Sequence, residues 1–427
     1  MDAEGIGNVA GFTFAQRNAV KALALPLYAL GALAALVVPR RSGLWVFGSG
    51  PGIGEGALEL YAAAREADPS LELRWLAQDG PDLERAQRLG LPAARKTSLR
   101  GLWLTLRARV VVVTHGFGDV NRYGIRSAFV VQLWHGIPLK RIQLDSPATT
   151  DLGRASRLAL VRRLAAGAYR RASSAIRLMP AASEPAAQRL RSAFGLPEDR
   201  VVVTGDPRDD VLCRGDETAR SASARHELQA VLGTELGSSR LILLAPTWRD
   251  GEADPVVPTE AEWRSIGEQL GRSDGIMIVR PHPHSIGDYR SGPRLSPRIL
   301  LLDTALCQDV TPLLPAVDLL ITDYSSIAYD FALTGRPMLF LAPDAEDYAA
   351  TRGLYQPYAD FSGGRHAQSW AELLDRMREA DADPRIADGL RERSRRMAAE
   401  FHRFTDGRNT ERVLAEIRRR LGTGEAA

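Results

Sequence analysis

Asp318-Leu-Leu-Ile-Thr-Asp-Tyr-Ser-Ser-Ile-Ala-Tyr-Asp-Phe-Ala-Leu-Thr-Gly-Arg-Pro-Met-Leu-Phe-Leu341 is the stretch whose reading decides the fold. Leu319 to Thr322 is a short apolar run with the length of a buried strand. Asp323 to Ser326 is a polar turn. Ser325 or Ser326 is placed to cap a helix, because its hydroxyl can accept from an unpaired N–H at a helix start. Ile327 to Leu333 has helical spacing, Gly335 ends it, and Pro337 opens a second apolar run, Met338 to Leu341. The unit is βαβ, with its polar turn at the carboxyl end of a strand. Ligands of open α/β sheets bind there, and a helix start offers N–H groups to a phosphate. An ordinary helix cap uses the same residues, so the choice rests on the remaining chain.

A chain of 427 residues divides into two or more domains, and 45% hydrophobic with 25% charged residues is a globular composition. The net charge of +3 is small, and the basic residues are almost all Arg, with Lys only at 21, 96 and 140. Arginine suits phosphate, whose oxygens its planar fork binds in pairs. No dense basic-aromatic stretch points to nucleic acid. Cys213 and Cys307 are too few for a disulfide framework or a zinc site, which points to a reducing compartment.

Ala22 to Val38 is apolar except for Pro26 near its start, with Arg17 and Lys21 before it and Arg40 and Arg41 after it. The run is short for a membrane span, and charge on both flanks is unlike a cleaved signal peptide. It reads as a helix lying on the inner face of an anionic membrane, with a buried helix packed on the domain as the alternative.

The first half opens strand-loop-helix-strand: Leu44 to Phe47, the glycine-rich Gly48 to Gly56, a helix from Ala57, then Leu71 to Leu76. Gly52, Gly54 and Ala57 fit a dinucleotide fingerprint with Glu72 downstream, a weak match in so glycine-rich a loop. The strands Arg109–Val113 and Phe129–Leu133 deliver His115 and His135 to one sheet edge. His135 is the preferred general base and His115 its support, with Lys140 and Arg141 adding positive charge. Ser156 to Arg171 is a basic helical segment, and Ser183 caps the helix that follows.

In the second half three apolar strands each end in a polar turn: Thr247 with Arg249, Arg280 with His282, and Asp323 with Ser325 and Ser326. In a parallel sheet these turns converge on one crevice, as a set that can hold a diphosphate. His282 with His284 lacks further metal ligands nearby, so no metal is expected. Asp330 reads equally as a ligand to a hydroxyl or as compensation of the helix dipole.

Six stretches in order resemble the CDP-glycerol glycerophosphotransferase family of teichoic-acid synthesis: Trp134 to Lys140, Gly205 to Asp210, Ala245 to Asp250, Arg280 to Pro283, Thr322 to Ser326 with Asp330, and Asp406 to Arg412. The chain departs from the family pattern at Asp206, Asp209, Glu55 and Gly56. The resemblance implies an α/β, GT-B-like fold of two Rossmann-like domains facing a cleft. The expected division is an N-terminal membrane-associated helix over 1–41, an acceptor and base domain over 42–200, a donor domain over 201–385 and C-terminal helices over 386–427. It implies peripheral association with the cytoplasmic membrane face, CDP-glycerol or a related CDP-alcohol as donor, and a lipid-linked acceptor. An acceptor hydroxyl would attack the distal phosphorus and CMP would leave. In that reading His135 is the base; Arg249, His282, Ser325 and Ser326 hold the diphosphate, with Arg280 and Arg208 as further candidates. Asp323 orients the turn or contacts the donor. No cofactor and no nucleic acid are expected, and a homo-oligomer is allowed. A GT-B glycosyltransferase using a nucleotide-sugar, an NAD enzyme and a non-catalytic scaffold are the other classes.

Overall fold

A computed structural model of the chain describes residues 25–146, 159–249, 252–283 and 285–422. The expectations that fall on Arg17, on Lys21 to Ala24, on Ser156 to Leu158, on Asp250 and on His284 lie outside these residues.

Two all-parallel sheets form the molecule. The first holds β1 (Arg41–Phe47), β2 (Glu72–Ala77), β3 (Ala93–Arg95), β4 (Ala108–Val113), β5 (Phe129–Gln132), β6 (Ile176–Ala181) and β7 (Val201–Val203) in the order β3-β2-β1-β4-β5-β6-β7. The second holds β8 (Arg240–Ala245), β9 (Gly275–Val279), β10 (Ile299–Leu301), β11 (Leu319–Thr322), β12 (Met338–Leu341) and β13 (His366–Ala367) in the order β10-β9-β8-β11-β12-β13. The central strands are apolar throughout because helices cover both of their faces: Val110 to Val113 and Leu319 to Ile321 are all buried. The 318–341 stretch is strand, short helix and strand as its sequence dictates, with Ile327–Ala332 as the helix.

Each sheet reverses its strand order once, between β1 and β4 and between β8 and β11. Such a reversal opens a crevice at the carboxyl ends of the strands. The turns that start there are Gly48 to Gly54 and Thr114 to Asp119 in the first domain, and Pro246 to Arg249 and Asp323 to Ser326 in the second.

Two expectations on domain limits are corrected. The first sheet runs through the expected boundary at 200/201, since β7 pairs with β6 at Met179–Val201 and Ala181–Val203. The C-terminal residues do not form a unit of their own. The helix Pro384–Phe401 buries Met397 and Phe401 in the second domain's core. The helix Asn409–Leu421 then returns to the first domain, where Val413, Leu414 and Ile417 join Trp45, Phe47, Leu60 and Tyr61. An amphipathic helix has to cover its apolar face, and helix Glu55–Ala67 offers the matching one.

This return is pinned by two of the motifs. Asp210 accepts from the N–H groups of Asn409 and Thr410, each at 2.8 Å, and the Asn409 amide donates to the Asp206 carbonyl at 3.1 Å. Gly205 has φ +81, and a Cβ there would lie 2.0 Å from Asn409 Oδ1.

The N-terminal helix Leu25–Val37 packs on the first domain along one side. Gly31 packs on the Tyr123 carbonyl, and Tyr28 meets the Tyr123 ring edge-on at 5.0 Å. Leu27, Leu30, Leu33, Leu36 and Val37 remain exposed. Among the described residues no helix is long and apolar enough to cross a membrane.

Gly205→Ala is expected to destabilise the protein by about 2–3 kcal/mol, through left-handed backbone and overpacking together. A urea melt reads it, and a wild-type midpoint contradicts the interlock.

Candidate active site

The carboxyl ends of the first sheet supply two histidines. Asp119 Oδ2 accepts from the N–H groups of Thr114 (2.9 Å), His115 (2.7 Å) and Gly116 (3.2 Å), which fixes the turn after β4. Trp134 and Gly136 adopt φ +65 and +124, and this kink presents His135. The His135 ring stacks on His115, centroid to centroid 4.0 Å and 6° from parallel. Burial pushes the His135 imidazole well below its ordinary pKa, and His115 and the Arg208 guanidinium push the same way. The base candidate is therefore neutral at pH 7. Its buried Nδ1 has no hydrogen-bond partner among the described residues.

Gly136 is where the two domains come close. A Cβ there would lie 3.2 Å from Arg208 Nη1 and 3.5 Å from Ser326 Oγ, so this glycine lets the turn meet the second domain. Arg208 forms a buried ion pair with Asp330, each on a different domain. Burial works against its charge, but Asp330, Asp206, Glu55 and Asp209 outweigh that and hold the guanidinium ionised. Burial in turn raises Asp330 to about 7, against the pull of Arg208. Asp330 thus answers a cation rather than only a helix dipole.

Two expected diphosphate ligands are committed elsewhere. Arg249 donates from Nε and Nη2 to Asp344 (2.8 and 3.0 Å) and from Nη1 to Asp323 (3.1 Å) and the Thr247 carbonyl (2.6 Å). Its guanidinium also lies over Tyr324 and Tyr348, at 5.0 and 4.7 Å. Arg280 donates to the carbonyls of Leu302, Asp303, Cys307 and Gln308. Both arginines frame the crevice: Arg249 spends four of its five N–H donors on these partners, while the Arg280 bonds leave its Nε–H and one Nη2–H uncommitted. Asp323 accepts from the N–H groups of Thr247 and Tyr324 at 2.8 and 2.6 Å, the turn-orienting of its two roles. Ser325 Oγ accepts from Ile327 N–H at 3.5 Å. Ser326 occupies the N-cap position without a side-chain capping bond, and its hydroxyl faces Gly136. His282 is exposed and stacks on Trp248 at 5.5 Å, and the Arg352 guanidinium lies 5.7 Å from the same ring.

Lys140 lies where the domains share backbone bonds. It bridges Leu354, while Arg141 N–H donates to the Gly353 carbonyl (3.0 Å) and Tyr355 N–H to the Leu139 carbonyl (2.9 Å). The Lys140 ammonium has no hydrogen-bond or ion-pair partner among the described residues. Burial lowers it to about 8, Asp323 resists, and Arg352 and Arg249 push further down. Arg141 is exposed, its alkyl chain against Gly353.

The glycine-rich loop packs against the second domain. Its Gly52 faces Gln308 of the second domain, where a Cβ would lie 2.8 Å away, and Glu55 N–H donates to Asp309 Oδ2 at 2.8 Å. Glu72 pairs with Arg41 and Arg74 at 2.6 and 2.9 Å. The sequence had no signal for Asp309, whose partner is remote in the chain.

Two parallel α/β domains with a histidine pair and a half-buried lysine in the crevice between them define a two-domain transferase-type architecture. Residues 32–419 match the family described as CDP-Glycerol:Poly(glycerophosphate) glycerophosphotransferase, and the chain belongs to that family. It is similar to the teichoic acid ribitol-phosphate polymerase TarK of Staphylococcus aureus (30% identity, 53% of this chain, 42% of that protein). It is also similar to the teichoic acid glycerol-phosphate transferase of the same organism (24% identity, 78% of this chain, 81% of that protein). The chain thus spans less than half the length of TarK and of the similar polymerase TarL, of which it covers 38%. Its fold is that of the wall teichoic acid polymerase TagF, solved as a histidine-to-asparagine variant soaked with CDPG (TM-score 0.72, 21% identity, 96% of this chain, 97% of that one).

Lys140 is half-buried, and an ammonium partly withdrawn from water without a partner destabilises the fold. The folded pKa lies near 8 against about 10.4 unfolded, so the cost is complete below pH 8 and fades as pH rises towards 10.4. Lys140→Met is expected to stabilise the protein by on the order of 2 kcal/mol at pH 7, with little gain left near the unfolded pKa. Thermal melts across that range check it, and a destabilised variant at pH 7 contradicts it.

Proposed function

We propose that this chain transfers glycerol phosphate, or a related polyol phosphate, from a CDP-alcohol to a hydroxyl of a lipid-linked acceptor in teichoic-acid-like polymer synthesis. The acceptor oxygen attacks the distal phosphorus of the diphosphate. A P–O bond forms to the acceptor, the bond to the bridging oxygen breaks, and CMP leaves with that electron pair. The hydroxyl proton passes to His135. The observation that carries this reading is a neutral His135 with a buried, unpartnered Nδ1, next to the glycine where the two domains meet. Positioned bases of this kind contribute about 10²–10⁴-fold.

Lys140 serves as a phosphate cation, since an incoming anion would supply its missing partner. His282, Ser326 and Arg208 line the same crevice, and Ser325 supports its turn. Closure of the crevice excludes water and strengthens these charges.

Membrane binding belongs to the same reading. The exposed leucines of helix Leu25–Val37 adjoin helix Leu99–Arg107 through Tyr123 and Gly124, which pack on Gly31 and on Thr105. Leu99 and Trp103 are 87% and 52% exposed, with the Arg107 guanidinium over the indole. Between residues 93 and 126 every charged side chain except the buried Asp119 is basic. Apolar and cationic groups on one face suit the anionic inner leaflet, and would place the chain peripherally on the cytoplasmic side.

CDP-glycerol and a synthetic lipid-linked glycerol-phosphate acceptor should give acceptor-dependent CMP, read by chromatography. His135→Ala should lose about 10²-fold or more. No CMP from CDP-glycerol or CDP-ribitol, with turnover of a nucleotide-sugar instead, would move the chain to the glycosyltransferase class.

In flotation assays the protein should bind vesicles containing phosphatidylglycerol and lose binding at high salt. Leu30→Glu with Leu33→Glu, and separately Trp103→Ala, should weaken it. Equal binding to neutral vesicles contradicts the electrostatic part.

A further inference from the structure

The glycine-rich loop after β1 touches the second domain at a point that the proposed reaction leaves unused. Glu55 there has φ +54, a left-handed conformation that side-chain-bearing residues keep only when their surroundings impose it. What imposes it lies on the other domain: Glu55 N–H donates to Asp309 Oδ2 at 2.8 Å. The loop leading to Asp309 is itself fixed, because Arg280 gathers the carbonyls of Leu302, Asp303, Cys307 and Gln308. Asp309 Oδ1 also accepts from Thr311 N–H at 2.9 Å, so both of its oxygens are held.

On its other side Glu55 begins a chain of hydroxyls. Ser49 Oγ donates to Glu55 Oε2 at 3.2 Å. Thr114 Oγ1 lies 3.0 Å from Ser49 Oγ and 2.9 Å from His115 Nδ1. Counting protons gives the chain a direction. An ionised carboxylate only accepts, so Ser49 spends its proton on Glu55. Thr114 spends its single proton on Ser49, or on Asp119 Oδ2 at the longer 3.4 Å. In both cases Thr114 is left to accept from His115, which therefore carries its proton on Nδ1 and keeps the Nε2 lone pair. This is the ring stacked on His135 at 4.0 Å.

We infer that Asp309 is a positioning residue: it holds Glu55 across the domain seam, and Glu55, through Ser49 and Thr114, sets the tautomer of His115 beside the base. The inference rests on His135 being the base of the proposed transfer. It makes the base's surroundings complete only when the donor domain is docked, because the residue that starts the chain belongs to that domain. Burial raises Glu55 to about 7, so the chain gains its direction as pH rises through that midpoint.

The test is the ring ¹⁵N spectrum of the full, histidine-labelled chain, recorded well above the Glu55 midpoint, with His115 assigned by His115→Gln. Wild type should show neutral His115 protonated on Nδ1. Asp309→Ala, Glu55→Ala and Ser49→Ala should each move it towards the Nε2–H form. A purely structural Asp309 would change the melting temperature and leave the tautomer alone. In turnover, Asp309→Ala should lower kcat about 10–100-fold, with KM for the CDP-alcohol within about twofold. Adding Glu55→Ala to it should cost nothing further. An unchanged His115 tautomer in Glu55→Ala or Asp309→Ala overturns the inference, and so do kcat losses that multiply in the double variant. The spectrum needs no turnover, so it bears on the inference separately from the reaction class.

Discussion

An arginine buried between two domains cannot shed its charge, and the seam of this protein is built around that constraint. Arg208 sits beyond β7 in the first domain and its answer, Asp330, sits in the short helix of the second. Removing one member of such a pair costs about 3–5 kcal/mol, because the other is left buried and unpaired. The pair does not stand alone. His402 directs Nδ1 to Asp209 Oδ2 at 3.1 Å and Nε2 to the Tyr329 carbonyl at 2.9 Å. Both partners are acceptors, so the ring carries two protons; burial opposes this, but Asp209 and Asp330 raise the imidazole. Cations and carboxylates then alternate across the seam. Each domain contributes half of them, which makes docking of the domains a condition for satisfying either half.

The same seam positions the chemistry. Gly136 brings the His135 turn against Arg208 and Ser326 only because it has no side chain. The backbone bonds at Leu139 and Arg141 hold the next residues against 353–355, so Lys140 enters the crevice from a fixed main chain. Sites built on regular elements and their immediate ends hold geometry better than sites on free loops. Here the histidines, Arg208 and Ser326 sit just past strand ends, within that rigid zone, and Lys140 further on is held by the backbone bonds of its neighbours.

Much of this was legible in the residues and some of it was not, for reasons that are physical. Asp318 to Leu341 carries its fold in local pattern, with two short apolar runs around a polar turn, and the structure follows it. His135 was legible because a strand end aims it. The internal partners of Arg249 and Arg280 were not legible, for the opposite reason. A strand-end arginine looks the same in sequence whether it faces a ligand or closes on Asp344 or on four carbonyls, since the partners lie 22 to 95 residues away. The return of helix Asn409–Leu421 was hidden too. Its apolar stripe says that it packs and not on which domain. Glu55 stood out only as a departure from the family pattern, and Asp309 not at all.

The distribution of charge also leaves an acid-rich crevice compatible with the diphosphate of the proposed reaction. Asp323 and Asp344 are used by Arg249, Asp330 by Arg208, Asp309 by two backbone N–H groups and Glu55 by Ser49. Each carboxylate is already answered inside the protein, so little negative field is left over to repel an anion. Lys140 is the converse case, a cation kept in the crevice without a partner among the described residues and held near its own midpoint. A fold gains nothing from such a group, because desolvating an ammonium is unfavourable unless something anionic arrives. Binding of a phosphate would raise its pKa and complete its pairing at once. The cost of the unpaired ammonium and the gain on pairing it with a phosphate are then the same interaction.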